Sequence, residues 1–116
     1  MSVHVSVQAA VGALAGGRVF PLVADEDTVV PYVVFQVVGG DPMSFISGDR
    51  PNKQERRVQF SVWAQTTLEA HAIAAQIETA LCATAELQTE VLTIAVDAFD
   101  EVTKYRGARQ DFYLFC

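Results

Sequence analysis

Three hydrophobic periodicities follow one another between Pro31 and Leu81, and each leaves room for only one kind of backbone. The run Pro31-Tyr32-Val33-Val34-Phe35-Gln36-Val37-Val38 is nearly all apolar and ends at Gly39-Gly40. A polar connector leads into Glu55 to Ala64, where apolar and polar residues alternate as in a strand with one covered face. From Thr67 to about Ala83 the spacing turns helical, with Ile73, Ala74, Ile77, Ala80 and Leu81 in one apolar stripe. Strand, long hairpin loop, strand and helix in one compact block read as a scaffold. No catalytic group stands out within it.

In the alternating run Val58, Phe60, Val62 and Ala64 face a core, while Arg57, Gln59, Ser61 and Trp63 face away from it. Trp63 thereby falls on the polar side, where so large a ring needs cover. Two readings stay open: Trp63 packs against a neighbouring strand or loop, or it anchors an oligomer interface. Thr66-Thr67-Leu68-Glu69 fits a capping box, with Thr66 as N-cap and Glu69 reaching back to its amide. The alanines of the helix stripe allow close packing on a sheet.

The flanking segments extend this block. Val7, Ala10, Val11 and Leu14 recur at helical spacing, so a first helix is predicted from about Ser2 to Ala15, stopped by Gly16-Gly17. Val19 to Val23 is short and extended, and Asp25-Glu26-Asp27-Thr28 is a polar turn. The run from Val33 to Val38 suggests a strand covered on both faces, or covered on one and used in a contact on the other. Gly39 to Lys53 carries loop signals throughout, yet holds Met43, Phe45 and Ile46. A connector of this length with apolar content is docked on its own domain or on a partner. Val91 to Phe99 and Gln110 to Phe115 read as two further strands, joined through Lys104-Tyr105-Arg106-Gly107. The expected fold is α+β: one domain over residues 1–116, a mostly antiparallel β-sheet with two α-helices packed on one face.

At 116 residues the chain buries one core, not two. Its hydrophobic fraction of 51% and mean hydropathy of +0.24 exceed what so small a volume can hide. Some apolar surface must therefore face outward, and contiguous apolar surface marks contacts with copies or partners. No apolar run approaches the roughly 20 residues of a membrane span. No secretory signal is apparent at the N-terminus, so the chain is expected to stay in the cytoplasm where it is made. The net charge of −6 argues against a phosphate-binding surface. The one basic cluster, Arg50 to Arg57, reads as a solvated hairpin.

Candidates for chemistry are few. Cys82 and Cys116 form neither a disulfide framework nor a metal site; Cys82 is expected to be buried in its helix and Cys116 exposed. His4 and His71 lack ligand-spaced partners, so no metal is expected. No serine lies in a nucleophile elbow, and neither Gly-Gly pair fits a phosphate-cradling loop. Asp25, Glu26, Asp27, Asp97, Asp100 and Glu101 are read as solvated turn and strand-end residues rather than a general acid and base. An enzyme is not expected, nor a cofactor.

These elements, in this order, resemble the tail completion or tail terminator proteins of tailed phages, prophages and gene transfer agents. The resemblance is carried by Pro31-Tyr32-Val33-Val34-Phe35, by Arg57-Val58-Gln59-Phe60-Ser61-Val62-Trp63-Ala64, by Glu69-Ala70 and Ala80-Leu81, and by Tyr105-Arg106 with Asp111-Phe112. It implies a structural protein whose copies form a ring, typically a hexamer, capping the tail tube. That ring would present a surface to the head-side connector or stopper protein and let DNA pass without specific binding. The location implied is the host cytoplasm during assembly, then the head-proximal end of the virion tail. Contact residues are expected, from placement alone, at Trp63, Phe45 and Ile46, with Arg50 and Lys53 on the loop. Two alternatives are a head-closure or neck protein, and a small-molecule-binding α+β domain with a pocket between sheet and helices.

Overall fold

The computed structural model describes residues 3–41 and 54–116, Asp41 by its backbone only. In chain order the elements are α1 (Val3–Val11), β1 (Val19–Pro21), β2 (Tyr32–Asp41), β3 (Glu55–Ala64), α2 (Thr67–Ala83), β4 (Glu90–Val91), β5 (Val96–Phe99) and β6 (Arg106–Phe115). The strands make one sheet in the order β1-β2-β3-β6-β4, with β5 also paired to β6. Only β1 and β2 are parallel; the other pairs are antiparallel. This is the expected α+β arrangement.

Strand parity builds the core. On β3, Val58, Phe60, Val62 and Ala64 are all buried, and the register sets Phe35 opposite Phe60 and Phe112 opposite Val58. The Phe60 ring lies 5.8 Å from Phe35 and 5.6 Å, edge-on, from Phe112, so three aromatics from three strands pack in series. Against this face α2 lays Ala70, Ile73, Ala74, Ile77 and Leu81, and α1 lays Val3, Val7 and Val11. Each large side chain so covered contributes about 1.5–3 kcal/mol. The Thr66 hydroxyl accepts from the Glu69 amide at 3.1 Å and starts α2 where the sequence predicts.

Several boundaries differ from the sequence reading. The regular turns of α1 end at Val11 rather than Ala15; a short 3-10 turn over Ala15–Gly17 follows, with Ala15, Gly16 and Gly17 all at positive φ. Strand β2 does not stop at Gly39-Gly40 but runs through both to Asp41, opposite Glu55 to Arg57. A register shift between Val37 and Gly39 absorbs one residue there, and Gly40 at φ 145° passes too close to the β3 backbone for a side chain. The predicted strand Val91 to Phe99 is two strands, because Thr93 interrupts the ladder: its hydroxyl, not a backbone carbonyl, accepts from the Asp111 amide at 3.0 Å. The last strand begins at Arg106, earlier than Gln110.

The cysteines exchange their expected places. Cys82 is exposed because it follows Leu81 around α2, off the buried stripe. Cys116 is buried: Gln54 and Cys116 exchange both backbone bonds, at 3.1 and 3.2 Å, which extends the β3–β6 ladder and turns Cys116 to the side of Phe112 and Leu114.

Candidate functional site

With both helices on one face, no described helix crosses the other face of the sheet. Parity brings to that outer face Trp63 of β3, Tyr32 of β2 and Gly107 of β6 in a single row, since Trp63 is the register partner of both. A Cβ at Gly107 would lie 2.8 Å from Cε3 of Trp63 and 2.6 Å from the carbonyl oxygen of Val62. The absent side chain of Gly107 is thus the seat of the indole. Burial pushes the Tyr32 phenol above its ordinary pKa of 10.0, and the negative charge of Asp100 and then Tyr105 add to that shift. An aromatic, partly dry end of the sheet results.

The opposite end is ionic. Asp111, nearly buried, accepts from Nε and Nη2 of Arg57 at 2.9 and 2.8 Å and from Nε2 of Gln59 at 3.1 Å. Arg57 keeps 42% of its side chain in water, so the pair adds little stability and chiefly fixes the two side chains across the β3–β6 pair. Between the two ends, Nε of Arg109 donates to the Ser61 hydroxyl at 3.2 Å.

Of the expected contact residues, Trp63 is half-buried at the centre of the aromatic row. Phe45, Ile46, Arg50 and Lys53 lie outside the described residues. Sequence reasoning missed Tyr32, Gly107 and Asp111 as neighbours of Trp63 and Arg57. Only Tyr32 lies on a strand joined to β3 by a hairpin; Gly107 and Asp111 come from β6, whose pairing with β3 across α2, β4 and β5 leaves no local signal in the sequence.

Groups with possible chemistry are dispersed. His71 on α2 and Asp97 on β5 approach to 2.7 Å at an exposed position, and Asp100 accepts from the amides of Val102 and Thr103 as a turn residue does. His4 rests 6.0 Å from the Phe35 ring. A cleft of about 310 Å³ is lined by Glu55, Gln88, Glu90, Tyr113, Leu114 and Phe115, which supply two carboxylates and a phenol but no cation, Ser, Cys or His. Among the described residues no group of three or more His, Cys, Asp or Glu could hold a metal ion. No described helix is long and apolar enough to cross a membrane.

No curated protein matches this chain. The family model of tail completion protein gp17 matches residues 1–113. That span takes in both helices, the first five strands and most of β6, so the whole scaffold that builds the outer face falls within the match. The chain belongs to the tail completion protein gp17 family.

Proposed function

We propose that copies of this chain assemble into a ring, a hexamer by the family resemblance, which closes the head-proximal end of a phage tail tube and joins it to the head-side connector. Membership of the family makes the chain a structural component of a phage tail, and hence of the virion. The finer reading is supported above all by one observation: large apolar side chains remain in water on the single chain. Leu68, Ile94 and Val102 are 84%, 79% and 91% exposed, and Leu22, Val23 and Val29 are exposed as well. Such side chains are covered when sister subunits and the tube pack against them.

The role asks for no catalysis. Capping needs a rigid scaffold, which the continuous sheet and its aromatic core supply. A bore that passes DNA should avoid basic surface, because counterion release makes such surface grip phosphates. The net charge of −6 fits that need.

Sedimentation and native mass spectrometry across a concentration series, with and without purified tail tubes, test this reading. A discrete oligomer in solution or on the tube is the expected result. A chain that stays monomeric at high concentration and leaves tubes uncapped would refute it. A comparison of Trp63→Ala with the native chain tests the outer face: assembly should fall more than monomer stability does, and an equal loss of both would remove Trp63 from the contact.

A further inference from the structure

We propose that residues 88–104 form a strap along the far edge of β6, the edge away from β3, and that this strap opens as a unit while the rest of the chain stays folded. It carries β4, β5 and the turn that leads into β6. Its release uncovers the sheet edge that it now closes. The strap goes beyond the ring reading and does not depend on it.

Burial does little to hold the strap. No residue from 88 to 104 is buried, whereas β1, though only three residues long, sinks Val19 into the core. Ala95 packs partly against the core, but Val91, Ile94, Val96, Phe99 and Val102 are all exposed. Releasing them gives up only part of the area that a buried side chain would lose. Hydrogen bonds do the holding: short ladders with β6 opposite Tyr113 and Phe112 and again opposite Arg109 to Arg106, and a few side-chain bonds. Oγ1 of Thr89 donates to the Leu81 carbonyl at 3.0 Å, and Nε2 of Gln110 donates to the Thr93 carbonyl at 2.9 Å. The Thr93 hydroxyl accepts from the Asp111 amide at 3.0 Å. His71 meets Asp97 at 2.7 Å, but at an exposed position where such a pair holds weakly.

The ends of the strap and the strand beneath it favour opening. Gln88 and Lys104, one at either end, hold φ of 45° and 65°, the left-handed region that carries a steric cost for a residue with a side chain. Release lets both relax. Leu87, buried just before Gln88, anchors the near end. Beneath the strap, β6 keeps its ladder to β3 from Arg106 to Phe115. The polar side chains there also keep partners. Gln110 still donates to Oε1 of Glu78 at 2.9 Å, and Asp111 still accepts from Arg57 and Gln59. Opening thus breaks a small set of bonds near the surface, where unfolding breaks the whole core. It frees a row of backbone donors and acceptors on β6, the kind of template to which an added strand pairs.

Amide hydrogen exchange followed by NMR tests the strap on the native chain. The Leu92 amide bonds to the Asp111 carbonyl and the Asp111 amide to the Thr93 hydroxyl, so both report the line between strap and β6. They should share one protection factor, at least about a hundredfold below that of the β3 amides. Val7→Ala alters the buried face of α1, which packs on α2 and β1. It should speed the β3 amides about tenfold or more and leave Leu92 and Asp111 unchanged, because a core defect eases global unfolding but not strap release. A disulfide through the register partners, Val96→Cys with Arg109→Cys in a Cys82→Ser background, should slow both reporters at least about tenfold, and reduction should restore them. Protection of Leu92 and Asp111 equal to that of β3 would overturn the strap. So would acceleration of all these amides together by Val7→Ala, since the segment would then open only with the core. Exchange in the oxidised disulfide variant as fast as in the native chain would overturn it as well.

Discussion

Gly107→Ala places one methyl group between a backbone oxygen and the only tryptophan of the chain, and the structure allows its cost to be worked out. The new Cβ would lie 2.6 Å from the Val62 oxygen and 2.8 Å from the Trp63 ring, both well inside contact distance. The ring can swing away, but the β3 backbone is held on both sides by β2 and β6. Overpacking of this kind costs about 1–3 kcal/mol. Alanine recovers roughly 0.5–1 kcal/mol of that through its lower backbone entropy in the unfolded chain. The net loss then lies between about 0 and 2.5 kcal/mol. Because the clash with the Val62 backbone cannot be relieved by a rotamer change, the expected value is in the upper part of that range, about 1–2.5 kcal/mol. That lowers a urea midpoint by roughly 0.5–1.3 M at a slope of about 2 kcal/mol/M. Because Trp63 is the single indole, its fluorescence reports the site without ambiguity, and its emission should shift to longer wavelength as the ring loses its seat. In a Trp63→Ala background, followed by circular dichroism, the penalty should shrink by at least about 0.5 kcal/mol without vanishing, since the carbonyl clash stays. An unchanged or raised midpoint with native emission would show that the ring does not rest on Gly107.

Three further substitutions probe other layers. Phe60→Ala removes the middle ring of the three-aromatic series and should destabilise the chain by about 3–5 kcal/mol in chemical denaturation; a loss under about 1 kcal/mol would contradict its central place. Thr66→Ala deletes the N-cap bond to Glu69 and should cost about 1 kcal/mol, whereas Thr66→Asp should be close to neutral. Tyr32 carries an alkaline signature: its raised pKa means the folded chain keeps the phenolic proton at pH values where the unfolded chain has lost it. Stability should accordingly decline as pH rises above about 10, and Tyr32→Phe should flatten that decline between about pH 9 and 11. An equal slope in both proteins would place the cause elsewhere.

The sequence made legible what depends on local periodicity. Alternation in β3, the capped stripe of α2 and the α+β class all follow from side-chain spacing that needs no tertiary knowledge. Where tertiary bonds decide, the local signals mislead. Gly39-Gly40 looks like a strand end, yet the bulge lets β2 continue past it in register with Arg57 and Arg56. Val91 to Phe99 looks like one strand, yet the Thr93 side chain replaces a backbone acceptor and divides it. Burial of the cysteines depends on parity one residue beyond the last clear marker, so Cys116 follows Leu114 inward and Cys82 leaves the Leu81 stripe. The need of Trp63 for cover is visible; its answer in Gly107, 44 positions further along the chain and on β6, requires the β3–β6 register.

Across the outer face Arg57 and Gln59 of β3 both donate to Asp111 of β6, while Leu22, Leu68, Ile94 and Val102 stay exposed elsewhere on the chain. The direct measurement is electron microscopy of purified tail tubes mixed with this protein. The account predicts a closed ring of copies at one end of each tube, and none along its length. Bare tube ends at protein concentrations far above that of the tubes, with the chain monomeric in the same solution, would contradict it.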